Sequence, residues 1–231
     1  MRHIIATVLV LCMLFDLAVA GEKGTFKNDQ EKVSYSIGYQ VGSDFKRQRV
    51  NINPEILVKG IEDGLADVEP QLSHDEMRTT LIDLKKRIAA AEQEKMQALA
   101  VKNLAAGKTY LAENAKKEGV KTLASGLQYK VLAEGTGASP EATDTVTVNY
   151  RGTLIDGTEF DSSYKRGQPA TFRVDRVIPG WTEALQLMKE GAKWQLFIPA
   201  NLAYGERSVG PIEPNSTLIF EVELIAIKQA G

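Results

Sequence analysis

The sequence predicts an α+β protein whose helices come first and whose sheet comes last, and three observations predict it. From residue 26 to about residue 118, apolar positions recur at helical spacing with almost no β-branched run long enough for a strand. From Gly119 onward, short apolar runs separated by turn residues replace that pattern. The composition, 231 residues at 43% hydrophobic and 25% charged, suits one or two packed cores rather than a disordered chain.

The first twenty residues stand apart. Arg2 and His3 precede an apolar run over residues 4–15, and Ala18-Val19-Ala20 follows before Gly21. A positive start, a short apolar stretch and a small-x-small site read as a secretory signal peptide over residues 1–20, too short to span a bilayer. Asp16 is an unusual charge at the end of that stretch, and an uncleaved amphipathic anchor is the alternative. Cys12 follows bulky Leu11 where a lipid-attachment site needs a small residue, so lipidation is not expected. Residues 21–231 then hold no cysteine and one histidine, His74. That excludes a disulfide framework and a thiol nucleophile, and sets aside most hydrolase and zinc-site schemes. A net charge of −2 gives no hint of a nucleic-acid or anionic-membrane partner.

Residues 21–72 read as a helical module. Asn28, with Glu31 three positions on, opens a helix carrying Val33, Ile37, Val41 and Phe45 at fourfold spacing. Asn53-Pro54 opens a second with Ile56, Leu57, Ile61 and Leu65. Each contains two glycines four apart, Gly38 with Gly42 and Gly60 with Gly64. Glycine inside a helix costs about 1 kcal/mol relative to alanine, so the pairs suggest a groove where another helix backbone comes close. Two short helices bury little by themselves, and a second copy of the chain would supply the missing surface.

Ser73 with Glu76 begins a connecting helix over residues 73–118, a rod of roughly 60 Å. Met77, Leu81, Leu84 and Ile88 form a stripe that weakens afterwards. The first half is therefore expected to be packed and the second half to be a solvated connector. Gly107-Lys108-Thr109 looks like the end of a phosphate-binding loop, but Lys102 stands where the required earlier glycine belongs, so it reads as helix surface.

The last region, residues 119–231, has strand-like runs at 129–132, 145–150, 170–174, 194–198 and 218–227, and one helical stretch at 181–189. Asp156-Gly157 marks a turn. The reading is an antiparallel sheet with one helix packed on it. Its strand ends and loops hold Tyr150, Phe160, Val177, Ile178, Trp181, Tyr204, Ile212 and Phe220, with Asp161 directly after Phe160 and no paired acid and base. Aromatic residues in a sheet domain are more often core than site, and here their order and spacing decide.

Val148-Asn149-Tyr150-Arg151-Gly152, Gly157-Thr158-Glu159-Phe160-Asp161-Ser162-Ser163, Val177-Ile178-Pro179-Gly180-Trp181, Leu202-Ala203-Tyr204-Gly205 and Thr217-Leu218-Ile219-Phe220 resemble, in order, the signature of the FKBP family over about residues 121–228. The preceding helices resemble the N-terminal domain of the macrophage infectivity potentiator subfamily. The resemblance implies an antiparallel half-barrel sheet over a short helix, after an all-α dimerisation module and a long connecting helix. It also implies a peptidyl-prolyl cis/trans isomerase assisting the folding of exported proteins in the periplasm or at the outer membrane, without cofactor or metal. On this resemblance Trp181 forms the pocket floor and Tyr150, Phe160, Val177, Ile178 and Phe220 its walls. Asp161, the Ile178 N–H and the Tyr204 hydroxyl supply polar contacts, and Ile212 completes the set. Implied partners are proline-containing polypeptides, a second copy, and macrolides such as rapamycin. The alternative is a dimeric client-binding holdase with incidental isomerase activity. Two departures bear on the pocket: Ala170 stands where many relatives have a large aromatic, predicting a reduced wall, and Glu213 stands where a small residue or proline is common.

Overall fold

Side-chain capping sets where the first helices start. The computed structural model describes residues 26–229, so the expected signal peptide lies outside the described residues. Asn28 accepts the Glu31 N–H and opens α1, Asp29–Arg47. Asn53 accepts the N–H groups of Glu55 and Ile56 and opens α2, Pro54–Leu65, with proline in its first turn. Neither helix has a buried residue. Tyr39 and Ile56 are each 67% exposed and Leu65 84%. A Cβ built on Gly38, Gly42, Gly60 or Gly64 would meet nothing within 4 Å among the described residues. Both helices lie in a compact unit that ends at Ser73, and a second unit begins at His74.

The second unit opens with α3, His74–Asn114, a helix of 41 residues. Its halves reverse the expectation from the apolar stripe. Met77, Leu84 and Ile88 are only half-buried and Leu81 is exposed. The far end, expected to be solvated, packs on the sheet, and Gly107, read as helix surface, is buried with Asn114. The Tyr110 ring lies 6.2 Å from that of Phe197. Asn114 Nδ2 donates to Gln128 Oε1 at 3.0 Å, and Gln128 Nε2 donates to the Leu111 carbonyl at 2.9 Å. The physical reason is size: Ala100, Ala106 and Gly107 carry little hydropathy, yet they let a helix backbone approach closely.

Seven strands follow: β1 Val120–Thr122, β2 Gln128–Ala133, β3 Thr145–Leu154, β4 Glu159–Ser162, β5 Ala170–Arg173, β6 Lys193–Ile198 and β7 Leu218–Lys228. They form one antiparallel sheet in the order β1-β2-β6-β7-β3-β4, with β5 also paired to β3. β1 and β4 leave no periodic signature in the sequence because they are three and four residues long. Between β4 and β5 runs the one-turn α4, Ser163–Arg166, and between β5 and β6 runs α5, Pro179–Leu187.

Buried and part-exposed residues alternate along β3 and β7, so Val146, Val148, Val222 and Leu224 face the core. α5 meets that face with Trp181, Ala184 and Leu185. Full burial of a large side chain such as Leu185 contributes about 1.5–3 kcal/mol. The α+β class expected from the sequence is the one observed.

Candidate active site

Where the core reaches the surface it becomes a pocket. Trp181 enters α5 one turn after Ile178, which caps the helix, and Pro179 fills the first position. The indole is 4% exposed. Three rings meet it edge to face: Tyr150 at 5.2 Å, Phe172 at 5.8 Å and Phe220 at 5.2 Å between centroids. Pairs of this geometry are worth about 0.5–1.5 kcal/mol each beyond their area. The Trp181 Nε1–H is buried with no hydrogen-bond partner among the described residues.

Strand pairing brings the second layer in. β3 and β4 set Gly152 opposite Asp161, and β3 and β7 set Gly152 opposite Phe220. A Cβ at Gly152 would fall 2.7 Å from the rings of both Phe160 and Phe220, so only glycine lets these rings close over the strand. They meet edge-on at 5.4 Å.

All nine residues picked out in the sequence, Tyr150, Phe160, Asp161, Val177, Ile178, Trp181, Tyr204, Ile212 and Phe220, line one concavity of about 620 Å³. The wall expected to be reduced at Ala170 is instead occupied by Phe172, two residues along β5 on the same face. Glu213 lies outside the lining and accepts a hydrogen bond from Asn103 of α3 at 3.1 Å. Pro179, Pro211, Arg176, Arg207 and Val209 are also among the lining residues.

One ionic cluster sits in this apolar setting. The Tyr150 hydroxyl donates to Asp161 Oδ2 at 2.5 Å. Arg166 donates to Asp161 Oδ1 through one Nη, and through the other to the Tyr150 oxygen at 2.7 Å. The Ser162 N–H adds a fourth bond, to Asp161 Oδ1 at 2.8 Å. Burial pushes the Asp161 carboxyl up, but the bonds from Tyr150 and Arg166, the Arg166 charge and the Ser162 N–H outweigh it and hold the group below its ordinary range. Burial, then the bond to Asp161, pushes the Tyr150 phenol up. Arg166 is aimed by local structure: Ser162 caps α4 and Gly167, at φ +72°, ends it, so the last helical residue folds back on Tyr150. The Ile178 N–H and the Tyr204 hydroxyl have no acceptor or donor among the described residues.

Residues 137–225 match the model of the FKBP-type peptidyl-prolyl cis-trans isomerase domain, and residues 30–131 match that of the domain amino-terminal to it. The chain is 48% identical over its whole length to the Legionella longbeachae protein named outer membrane protein MIP, spanning 99% of that protein. The chain belongs to the FKBP-type peptidyl-prolyl cis-trans isomerases. It is also 49% identical to the Escherichia coli FKBP-type 22 kDa isomerase, over 88% of this chain and 98% of that one. The crystal structure of FkpA from Escherichia coli superposes with a TM-score of 0.72 at 45% identity, covering 90% of this chain and all of that one. These relatives favour the isomerase over the holdase.

Within this FKBP-type site, sequence reasoning missed Phe172 and Arg166. Phe172 had a signal, the alternation of β5 from Ala170. Arg166 had none, since its reach to Asp161 depends on a one-turn helix that no periodicity announces.

The position of the Asp161 carboxyl has a pH consequence. Its folded value lies below the ordinary one of about 3.9, so the ion pair is present above the ordinary value and is lost as pH falls through the folded one. The catalytic efficiency, kcat/KM, is expected to stay flat from about pH 5 to pH 8. A titration midpoint near neutrality in the pH–rate profile would contradict the assignment.

Proposed function

We propose that this pocket takes up the proline ring and the preceding amide of a flexible X-Pro segment and lowers the barrier to its rotation, and that its clients are exported polypeptides. The observation that carries the reading is an aromatic-floored concavity whose single carboxylate is already neutralised from inside the protein by Tyr150 and Arg166.

The chemistry follows from the amide. Rotation about X-Pro faces a barrier of about 18–20 kcal/mol because the planar form keeps its resonance, and uncatalysed exchange takes tens to hundreds of seconds. The twisted amide has lost part of that resonance and its charge separation. Rings at Phe160, Phe172, Trp181 and Phe220 strip water from the planar ground state without replacing its hydrogen bonds. In the twisted state the carbonyl and the pyramidal nitrogen turn out of plane, where the Ile178 N–H and the Tyr204 hydroxyl supply unclaimed partners. Rate enhancement then comes from binding the twisted amide better than the flat one. Asp161, fixed by Arg166, keeps Tyr150 in place at one wall.

The test is the exchange rate of a Leu-Pro peptide with purified residues 21–231. Acceleration is expected, with inhibition by rapamycin because Phe172 fills the wall that Ala170 leaves. Phe160→Ala is expected to lower kcat/KM by roughly tenfold, the equivalent of about 1.4 kcal/mol of lost ring contact and shape. A folded protein without acceleration, or a Phe160→Ala protein as fast as wild type, would overturn the assignment.

We also propose that α1 and α2 form a homodimer. Their apolar residues, among them Ile37, Tyr39, Ile56, Ile61 and Leu65, are exposed, and the glycine pairs are open to close backbone approach. Light scattering of residues 21–231 is expected to give twice the chain mass; a monomeric mass would refute the dimer. Export through cleavage near Ala20 agrees with the outer-membrane designation of the Legionella longbeachae relative. No helix among the described residues is long and apolar enough to cross a membrane.

A further inference from the structure

The loop of residues 205–215 supplies one side of the pocket through Arg207, Val209, Pro211 and Ile212. Its neck is closed by the Asn215 N–H, which donates to the Gly205 carbonyl at 2.7 Å. Asn215 itself is in the left-handed conformation, φ +55°, which asparagine tolerates better than most residues. That neck is fastened to α3. Asn103 Nδ2 donates to the Pro214 carbonyl at 3.0 Å and to Glu213 Oε2 at 3.1 Å. Asn215 Nδ2 returns a bond to the Ala100 carbonyl at 3.4 Å. One turn further on, Gly107 gives the clearance that makes these bonds possible: a Cβ there would sit 2.2 Å from Oγ1 of Thr217, which is buried. Toward its tip the loop is held by bonds of its own, the Val209–Ile212 pair at 3.0 Å each way and the Arg207 N–H to the Tyr204 carbonyl.

We propose that Asn103 and Gly107 of α3 are positioning residues for the isomerase pocket. They hold the neck of the 205–215 loop and thereby keep Ile212 against the site, so the long helix takes part in substrate affinity without touching substrate. The inference rests on the reading of this pocket as the isomerase site. A loop released at its neck has to be ordered each time substrate binds, and that cost raises KM. The transition state meets the same ordered loop as the bound substrate, so kcat is spared.

The experiment measures KM and kcat separately for a Leu-Pro peptide with the chain in full, alongside the melting temperature. Asn103→Ala is expected to raise KM about fivefold, the worth of one net hydrogen bond, with kcat changed by less than about twofold. Gly107→Ala is expected to raise KM as well, because the new methyl drives Thr217 away from α3. Thr217→Ala in the Gly107→Ala background removes the colliding oxygen and is expected to bring KM back. A lower melting temperature with unchanged KM marks a merely structural contact and overturns the proposal, as does a Gly107→Ala, Thr217→Ala protein that keeps the raised KM. Wild type without acceleration sinks the isomerase reading itself. Wild type with acceleration and both single variants at wild-type KM sinks this inference alone.

Discussion

Trp181 is buried at the first turn of α5, although it lines the open concavity of the domain. Tyr150 from β3, Phe172 from β5 and Phe220 from β7 close around it edge to face. Because these rings come from three paired strands, their separation is set by the register of the sheet. The core therefore ends in a rigid aromatic floor, and the concavity above it is the place where packing stops. Gly152 makes the closure possible by letting Phe160 and Phe220 cross β3 at van der Waals distance.

Polarity in this setting is used sparingly. The one carboxylate in the lining, Asp161, is bound by Tyr150, Arg166 and the Ser162 N–H, so it costs the pocket little free charge. The Ile178 N–H and the Tyr204 hydroxyl are left without partners among the described residues. The loop that bears Ile212 is tied at its neck to α3, whose sequence looks like a solvated rod. Site and scaffold are thus continuous from α3 through the loop to the pocket wall.

Much of this is legible in the sequence, and the limits have physical causes. The strands that build the sheet core announce themselves because β3 and β7, ten and eleven residues long, alternate over most of their length. Asn28 and Asn53 mark their helices because capping is local chemistry. The pocket residues from Tyr150 to Phe220 are found through motif order, since an aromatic in a strand carries no mark that separates floor from core. Phe172 is hidden by attention to Ala170, although period-two alternation puts both on one face. The docking of α3 escapes because its contact surface mixes Tyr110 with Ala100, Asn103, Gly107 and Asn114, which together register as neither apolar stripe nor charged face. Arg166 escapes because its role is set by where a single helical turn points.

On the proposed mechanism the amide turns because its surroundings favour the twisted state, with no proton moved in the rate-limiting step. The most direct test is the solvent isotope effect on kcat/KM for a Leu-Pro peptide, measured in light and heavy water on the flat part of the pH profile. Rotation without proton transfer gives a ratio close to one. A ratio of about two or more, the mark of a proton in flight during general acid–base catalysis, would contradict it.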